Sequence, residues 1–244
     1  MFSFFSRKKK SDAKPGELLK TDMHGHFVPG VDDGAPDLDT ALEMVAGMHA
    51  LGYERLIVTP HVYRELYDNA PETLQPAFDE LKAAVQRENI PVQLRLAAEY
   101  MMDDSFSEKI EKKEKLLTIS NNLVLVELPF SSLPFGWKEQ LFALQINGYK
   151  PVMAHPERYN FAYGNRKYYQ EFIDAGCLLQ MNLLSVAGYY GPDAQAAARY
   201  LLKNKMISLV GSDAHHHRHI KSLSDPSIAA AIEEYGQLMN QSLN

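Results

Sequence analysis

Five of the nine histidines sit in four short clusters, each where an apolar run breaks off. His24 and His26 lie in TDMHGHFVPGVDDG, His61 ends LIVTPH, His155 falls within PVMAHPERY, and His215 ends ISLVGSDAH. Glu99 closes the run VQLRLAAE, and Glu127 closes LVLVE. Imidazole nitrogen and carboxylate oxygen are donors that zinc, manganese and iron accept, so the set reads as a metal centre. One histidine at a strand end is more often a hydrogen-bonded structural residue. Recurrence of the pattern, not any single member, points to ligands. Residues two apart on an extended strand share a face, which would turn His24 with His26, and Asp213 with His215, the same way.

These residues need elements to hold them. Strand-like runs occur at 18–24, 55–61, 92–99, 123–127, 150–155, 177–182 and 206–212. Between them, apolar residues recur at helical spacing over 38–51, 71–89, 138–147, 167–175 and 192–204. Pro71 and Pro192 suit a first helical turn, and Gly52, Gly148 and Gly176 suit the position just past a helix end. Alternating strand and helix implies an α/β fold with parallel strands and helical crossovers. Six of the seven runs end in, or lead into, a polar residue of the set. That favours a barrel carrying its chemistry at the carboxyl ends of the strands, since an open sheet gathers such groups only at its switch point.

With 244 residues, 45% of them hydrophobic, the chain can bury one large core. The expected organisation is a flexible basic and aromatic tail over 1–17 and a single domain over 18–244. No apolar run approaches the roughly 20 residues of a membrane-spanning helix. The opening MFSFFSRKKK places apolar residues before the charges, the reverse of a secretory signal, so a cytoplasmic location is expected. Phe2, Phe4 and Phe5 beside Arg7, Lys8, Lys9 and Lys10 suggest a weak contact with the inner membrane face, against a disordered tail as the simpler reading. A net charge of −6, with its dense basic run confined to that tail, argues against nucleic acid as a partner. The lone Cys177 sits in AGCLLQMN without a nearby arginine and reads as core, not as an activated nucleophile.

The set HGH, DDG, TPH, the glutamate of AAEY, Glu127 in VELP, HPERY and GSDAH resembles the polymerase-and-histidinol-phosphatase (PHP) superfamily of metal-dependent phosphoesterases. More narrowly it resembles the bacterial tyrosine-protein phosphatases of capsule and exopolysaccharide loci, the CpsB/YwqE type, from about Thr21 to His219. The resemblance implies a distorted TIM-like (β/α)7 barrel of the PHP type with a trinuclear metal centre. It implies His24, His26, Glu99 and Asp213 around one ion, and Asp33, His61 and His215 around a second. Glu99 would also reach a third, shared with Glu127 and His155. Four clustered carboxylates would be severely unfavourable in a desolvated pocket, and three divalent ions reverse the sign of the site. Manganese is the first expectation, with iron, zinc and cobalt as alternatives. Two departures stand out: Val62 where many relatives carry a second histidine after TPH, and Arg218 where their arginine after the final DxH has another spacing.

The implied activity is hydrolysis of phosphotyrosine by a hydroxide bridging two ions, without a covalent enzyme intermediate. The implied partner is a phosphotyrosine protein, the tyrosine-rich tail of a membrane-bound bacterial tyrosine kinase. A phenolate leaving group, of pKa ~10, needs less protonation than an alkoxide. Arg158 and Arg218 are the expected phosphate-binding residues, with a structural salt bridge as the competing role for Arg158. His216, His217 and His219 accompany Arg218 either as phosphate contacts or as a solvated basic loop, and His49 belongs to a helix surface. Tyr63, Tyr67, Phe130, Tyr159, Phe161 and Tyr163 are candidate walls for a phenyl ring, although the run from Tyr159 to Tyr169 suits packing beneath a loop better. A small-molecule phosphomonoesterase such as a histidinol-phosphate phosphatase, a nuclease of the same superfamily, and a non-catalytic metal-stabilised module remain open at this level.

Overall fold

The computed structural model describes residues 13–235 and 238–243. The expected membrane-contacting residues Phe2 to Lys10 lie outside them. The strands are β1 (Thr21–Asp22), β2 (Arg55–Val58), β3 (His61–Val62), β4 (Gln93–Leu96), β5 (Glu99–Met101), β6 (Leu123–Glu127), β7 (Lys150–Ala154), β8 (Leu178–Asn182) and β9 (Leu209–Gly211). They form a three-stranded sheet, β1-β2-β4, and a six-stranded sheet, β3-β5-β6-β7-β8-β9. Every strand pairing in these sheets is parallel, as the alternation of strands and helices requires.

Four of the seven strand-like runs differ from expectation, among them 206–212, which is strand only over Leu209–Gly211. The run 55–61 is broken into β2 and β3 at Thr59 and Pro60, and the run 92–99 into β4 and β5 at Ala97 and Ala98. Pro60 has no N–H to give a ladder. Its carbonyl still accepts from Glu99 N at 3.0 Å, and Val58 O accepts from Ala97 N at 2.8 Å, so the chains stay paired across the break. The first run is shorter: Pro15–Leu19 is helical and only Thr21–Asp22 is strand. The tail expected over 1–17 therefore loses residues 15–17 to this helix. Here Gly16 is buried, and its N–H donates to Leu51 O at 3.1 Å.

The helices Leu38–Ala50, Pro71–Arg87, Trp137–Ile146, Lys167–Asp174 and Pro192–Lys203 fall within two residues of the expected bounds. Asp104–Glu111, His217–Ser222 and Pro226–Tyr235 lie outside the expected helical segments. The first of these is set by Asp103, whose carboxylate accepts from Phe106 N at 2.8 Å as an N-cap. Among the described residues no helix is long and apolar enough to cross a membrane.

Apolar side chains pack in three buried clusters. The smallest takes Met23, Ile57, Ala97, Leu125, Val152 and Leu209 from on or next to strands of both sheets. The two larger ones join strands to the helices. Beyond the strand ends, the first and last strands are tied together: Gly25 and Ala214 form a parallel bridge, Asp213 N donates to His24 O at 2.8 Å, and His26 N to Ala214 O at 2.9 Å.

Candidate metal centre

All nine expected ligands gather beyond or at the carboxyl ends of the strands. His24 and His26 follow β1, His61 and Glu99 open the continuations β3 and β5, Glu127 ends β6, and His155 follows β7. Asp213 and His215 follow β9, and Asp33 comes from the loop before the first long helix. The alternation argument for Asp213 and His215 is replaced by a turn, because β9 stops at Gly211 and Asp213 has φ +51°. His155 has φ +33°. Two non-glycine residues in the left-handed region, both aimed at one cluster, are strain of order 1–3 kcal/mol each held at a functional site.

Glu99, fully buried, is the hub. Its Oε2 lies 3.2 Å from His24 Nε2, 3.5 Å from His26 Nε2 and 3.2 Å from His61 Nδ1, and its Oε1 lies 3.0 Å from His155 Nε2. Donor atoms converge in four sets: His26, Asp33, His61 and His215; His24, His26 and Asp213; His24, Glu99 and His155; and His61, Glu99 and Glu127. The grouping differs in part from the expected one. His26 joins the Asp33 set, and His155 and Glu127 fall in separate sets that share Glu99, their own Nε2 and Oε2 being 3.8 Å apart.

Ring orientations test whether this is a metal site. His24 Nδ1 pairs with Gln180 Oε1 at 2.9 Å, His26 Nδ1 with Asp32 Oδ2 at 2.8 Å, and His215 Nδ1 with Asp213 O at 3.0 Å. Each of these partners accepts hydrogen bonds, so each Nδ1 carries a proton and each Nε2 is the atom turned inward to bind a cation. The two inward nitrogens of His24 and His26 are 3.3 Å apart and face the oxygens of Glu99 and Asp213. Nitrogens facing carboxylate oxygens at that range need a proton or a metal ion between them, and an imidazole whose far nitrogen is held by a carboxylate or amide is the usual metal-ligand arrangement. His155 Nδ1 and His61 Nδ1 are buried without a hydrogen-bond partner; the 2.9 Å approach of Glu127 Oε1 to His61 Nδ1 lies off the hydrogen-bond direction. The residues present therefore fit divalent metal.

The electrostatics agree. Burial pushes Glu99 and Asp213 toward neutrality, yet the charge of His24 on both, with His155 on Glu99 and His215 on Asp213, holds them well below the usual carboxylate range. Burial lowers His26, but Asp32 and Asp213 override it and raise it well above an ordinary imidazole. His61 loses basicity to burial and to His26 and regains more from Glu127 and Glu99, ending at about 9. Asp33 is lowered to about 2, chiefly by His215.

Sequence reasoning missed the supporting shell. Asp32 accepts from His61 N at 3.0 Å and Gly34 N at 3.0 Å while holding His26. Gln180 and Asn182, on β8, reach His24 and Asp213, the latter with Asn182 Nδ2 donating to Oδ2 at 2.6 Å. Polar residues alternating inside the apolar run CLLQMN were the available signal. Gly211 backs His24, and a Cβ there would meet His24 Cβ at 2.6 Å. Gly211→Ala is expected to cost about 1–3 kcal/mol, read as a Tm fall of roughly 3–10 °C, with reduced metal content.

Above the cluster opens a cavity of about 280 Å³, lined by ligands and also by Phe130, Arg158, Tyr190, His216 and His219. Arg158 Nη1 donates to Asp213 Oδ2 at 2.9 Å, so the salt-bridge role is realised at the cavity wall itself. Its guanidinium lies 4.6 Å from the Phe130 ring centre and 4.2 Å from that of Tyr190. Arg218 is not brought there. It is exposed on the helix His217–Ser222, where the next residue, His219, turns inward. Nor is the histidine run a loop: His216 caps this helix, and His217 pairs with Glu43 at 2.9 Å. Of the candidate aromatic walls only Phe130 lines the cavity. Tyr67 stacks on His61, and Tyr159 and Tyr169 are buried. His49 is exposed on its helix. Cys177 is buried, and burial pushes its thiol up to about 12. Iodoacetamide is accordingly expected to leave activity unchanged, as is Cys177→Ala.

Comparison with known proteins agrees with this geometry. Residues 20–243 match the family model described as capsular polysaccharide synthesis, CpsB/CapC. The tyrosine-protein phosphatase YwqE of Bacillus subtilis (strain 168) is 32% identical over 196 residues, 80% of this chain and 77% of its own. The putative tyrosine-protein phosphatase CapC of Staphylococcus aureus is 27% identical over 194 residues, 80% of this chain and 76% of its own. In three dimensions the fold is similar to a chain from the crystal structures of YwqE from Bacillus subtilis and CpsB from Streptococcus pneumoniae, called there unique metal-dependent tyrosine phosphatases. The TM-score is 0.81 at 28% identity, covering 91% of this chain and 90% of that one. The chain is a member of the CpsB/CapC capsular polysaccharide synthesis family.

Proposed function

We propose that this protein is a metal-dependent protein-tyrosine phosphatase. The observation that carries the reading is the Glu99 hub, a buried carboxylate met by four imidazoles whose inward nitrogens demand cations. The names of YwqE and CapC support the substrate class. The nine residues His24, His26, Asp33, His61, Glu99, Glu127, His155, Asp213 and His215 would hold three divalent ions, manganese first among them. Such ions make water acidic enough to act as a nucleophile near neutral pH and take up charge building on phosphate oxygens.

The chain's own residues do the rest. Asp32 and Gln180 fix the orientations of His26 and His24, so the inward nitrogens are preorganised. Arg158 spends one N–H on Asp213 and keeps further donors for the non-bridging oxygens of the phosphate. No thiolate takes part, since Cys177 lies in the core beneath the helix Lys167–Asp174. A distorted (β/α)7 barrel is supported by the Gly25–Ala214 bridge and by the apolar layer drawn from both sheets. The family description supports a substrate in capsule synthesis, which we assign to the phosphorylated tyrosine-rich tail of a membrane-bound tyrosine kinase, with the enzyme on the cytoplasmic side.

The test is hydrolysis of a phosphotyrosine peptide beside a phosphoserine peptide and histidinol phosphate, after stripping metal and reloading manganese. Metal-dependent release from phosphotyrosine, abolished by His155→Ala, is the expected result. Preference for histidinol phosphate, or turnover that survives stripping, overturns the reading.

A further inference from the structure

Phe130 is 40% exposed, and it is the one exposed large apolar side chain among the described residues that also lines the metal cavity. An aromatic ring left open to solvent at a polar site needs a reason. Its backbone is anchored. Two residues separate it from Glu127 at the end of β6; Leu128 N donates to Tyr159 Oη at 3.1 Å, and Asn160 N to Phe130 O at 2.8 Å. The backbone from Leu128 to Phe130 is thus tied to the segment that carries His155 and Arg158. The ring centre lies 5.4 Å from that of His155 and 4.6 Å from Arg158 Cζ, so it spans one ligand and the residue placed to meet phosphate.

We propose that Phe130 is the specificity-determining residue of this site, the platform on which the phenyl ring of an aryl phosphate rests while its phosphate faces Arg158. This rests on the phosphatase reading above and adds the basis for choosing aryl over alkyl esters. A phosphate held between the carboxylate–histidine cluster and Arg158 leaves its ester group to the rest of the cavity, where half-exposed Phe130 forms part of the wall. An offset or edge-to-face ring pair there favours an aromatic ester and offers an alkyl chain much less. Tyr190, on the guanidinium's other aromatic contact at 4.2 Å, keeps Arg158 in place when Phe130 is changed.

The experiment compares competitive inhibition of the manganese-loaded enzyme by benzylphosphonate, ethylphosphonate and inorganic phosphate, in the wild type, Phe130→Leu and Phe130→Trp. Phenylalanine to leucine keeps apolar bulk beside Arg158 and removes the ring. Expected is a loss of about five- to tenfold in benzylphosphonate affinity in F130L, the size of one aromatic contact. Ethylphosphonate and inorganic phosphate should be unchanged, and F130W should retain the aryl preference. In turnover the defect should appear in KM for the phosphotyrosine peptide, with kcat retained. Equal losses for all three inhibitors would make Phe130 a support for Arg158 and overturn the proposal, as would an unchanged benzylphosphonate constant. A wild-type enzyme that binds benzylphosphonate preferentially yet releases nothing from phosphotyrosine would instead strike the phosphatase reading alone.

Discussion

Replacing Glu99 by glutamine is expected to lower phosphotyrosine hydrolysis by more than about a hundredfold and to reduce the metal bound per chain. Removing a residue that merely orients a ligand already costs about 10–100-fold in affinity or activity, and Glu99 belongs to two of the converging sets itself. Both oxygens are engaged: Oε2 faces His24, His26 and His61, and Oε1 faces His155. Glutamine keeps the shape and removes the charge. It also turns an N–H toward nitrogens that, with their far sides held by Gln180 and Asp32, need a cation. The loss should therefore appear as metal stoichiometry as well as rate, and excess manganese should restore it only partly. Glu108→Gln is the matched control, because Glu108 is a surface carboxylate paired with Arg64 at 2.9 Å, and exposed pairs contribute little. Retention of full metal content and rate in Glu99→Gln would show that the hub is a structural ion-pair network and not a metal centre.

The same hub explains which parts of the site were legible in the sequence. Ligands terminate apolar runs, and a run that ends in His, Glu or Asp announces both its strand and its ligand; β6 with Glu127 comes out residue for residue, and β7 ends one residue before His155. Residues that support ligands carry no such local mark. Asp32 is adjacent to Asp33 and of the same type, and only the folded loop turns Asp32 inward to His26 while Asp33 reaches His61 and His215 across the mouth. Gln180 stands 156 positions from the histidine it orients. Arg218 was misplaced for a different reason: spacing alone could not show that a helix begins at His217, and a helix turns each successive side chain by about 100°. Ion grouping was likewise beyond reach, since which donors share a cation depends on sub-ångström tertiary placement.

Stripping the metal is expected to produce the second large effect, a gap in Tm between loaded and stripped protein that widens as pH rises. In the stripped protein, protons must occupy the cluster. His24, His26 and His61 hold theirs more tightly folded than unfolded, against the burial that opposes it, because Glu99, Asp213, Asp32 and Glu127 face them. A raised folded pKa stabilises fully below the unfolded value near 6.5 and is lost as pH climbs, for His61 through about 9. Glu99 and Asp213 are held low, so their contribution is present above the unfolded carboxylate values, about 4, and vanishes as pH falls further. Stripped protein should therefore be most stable between roughly pH 4.5 and 6.5. Metal requires the neutral imidazole, so the loaded form gains where the stripped form loses. Each ion at a hundred times its dissociation constant adds about 2.7 kcal/mol, so the Tm gap should exceed about 10 °C by pH 9. Melting temperatures recorded from pH 5 to 9 with chelator and with manganese decide the matter. Curves that run parallel across that range, or a stripped protein at its most stable at pH 9, would mean that protons and metal do not compete for this cluster.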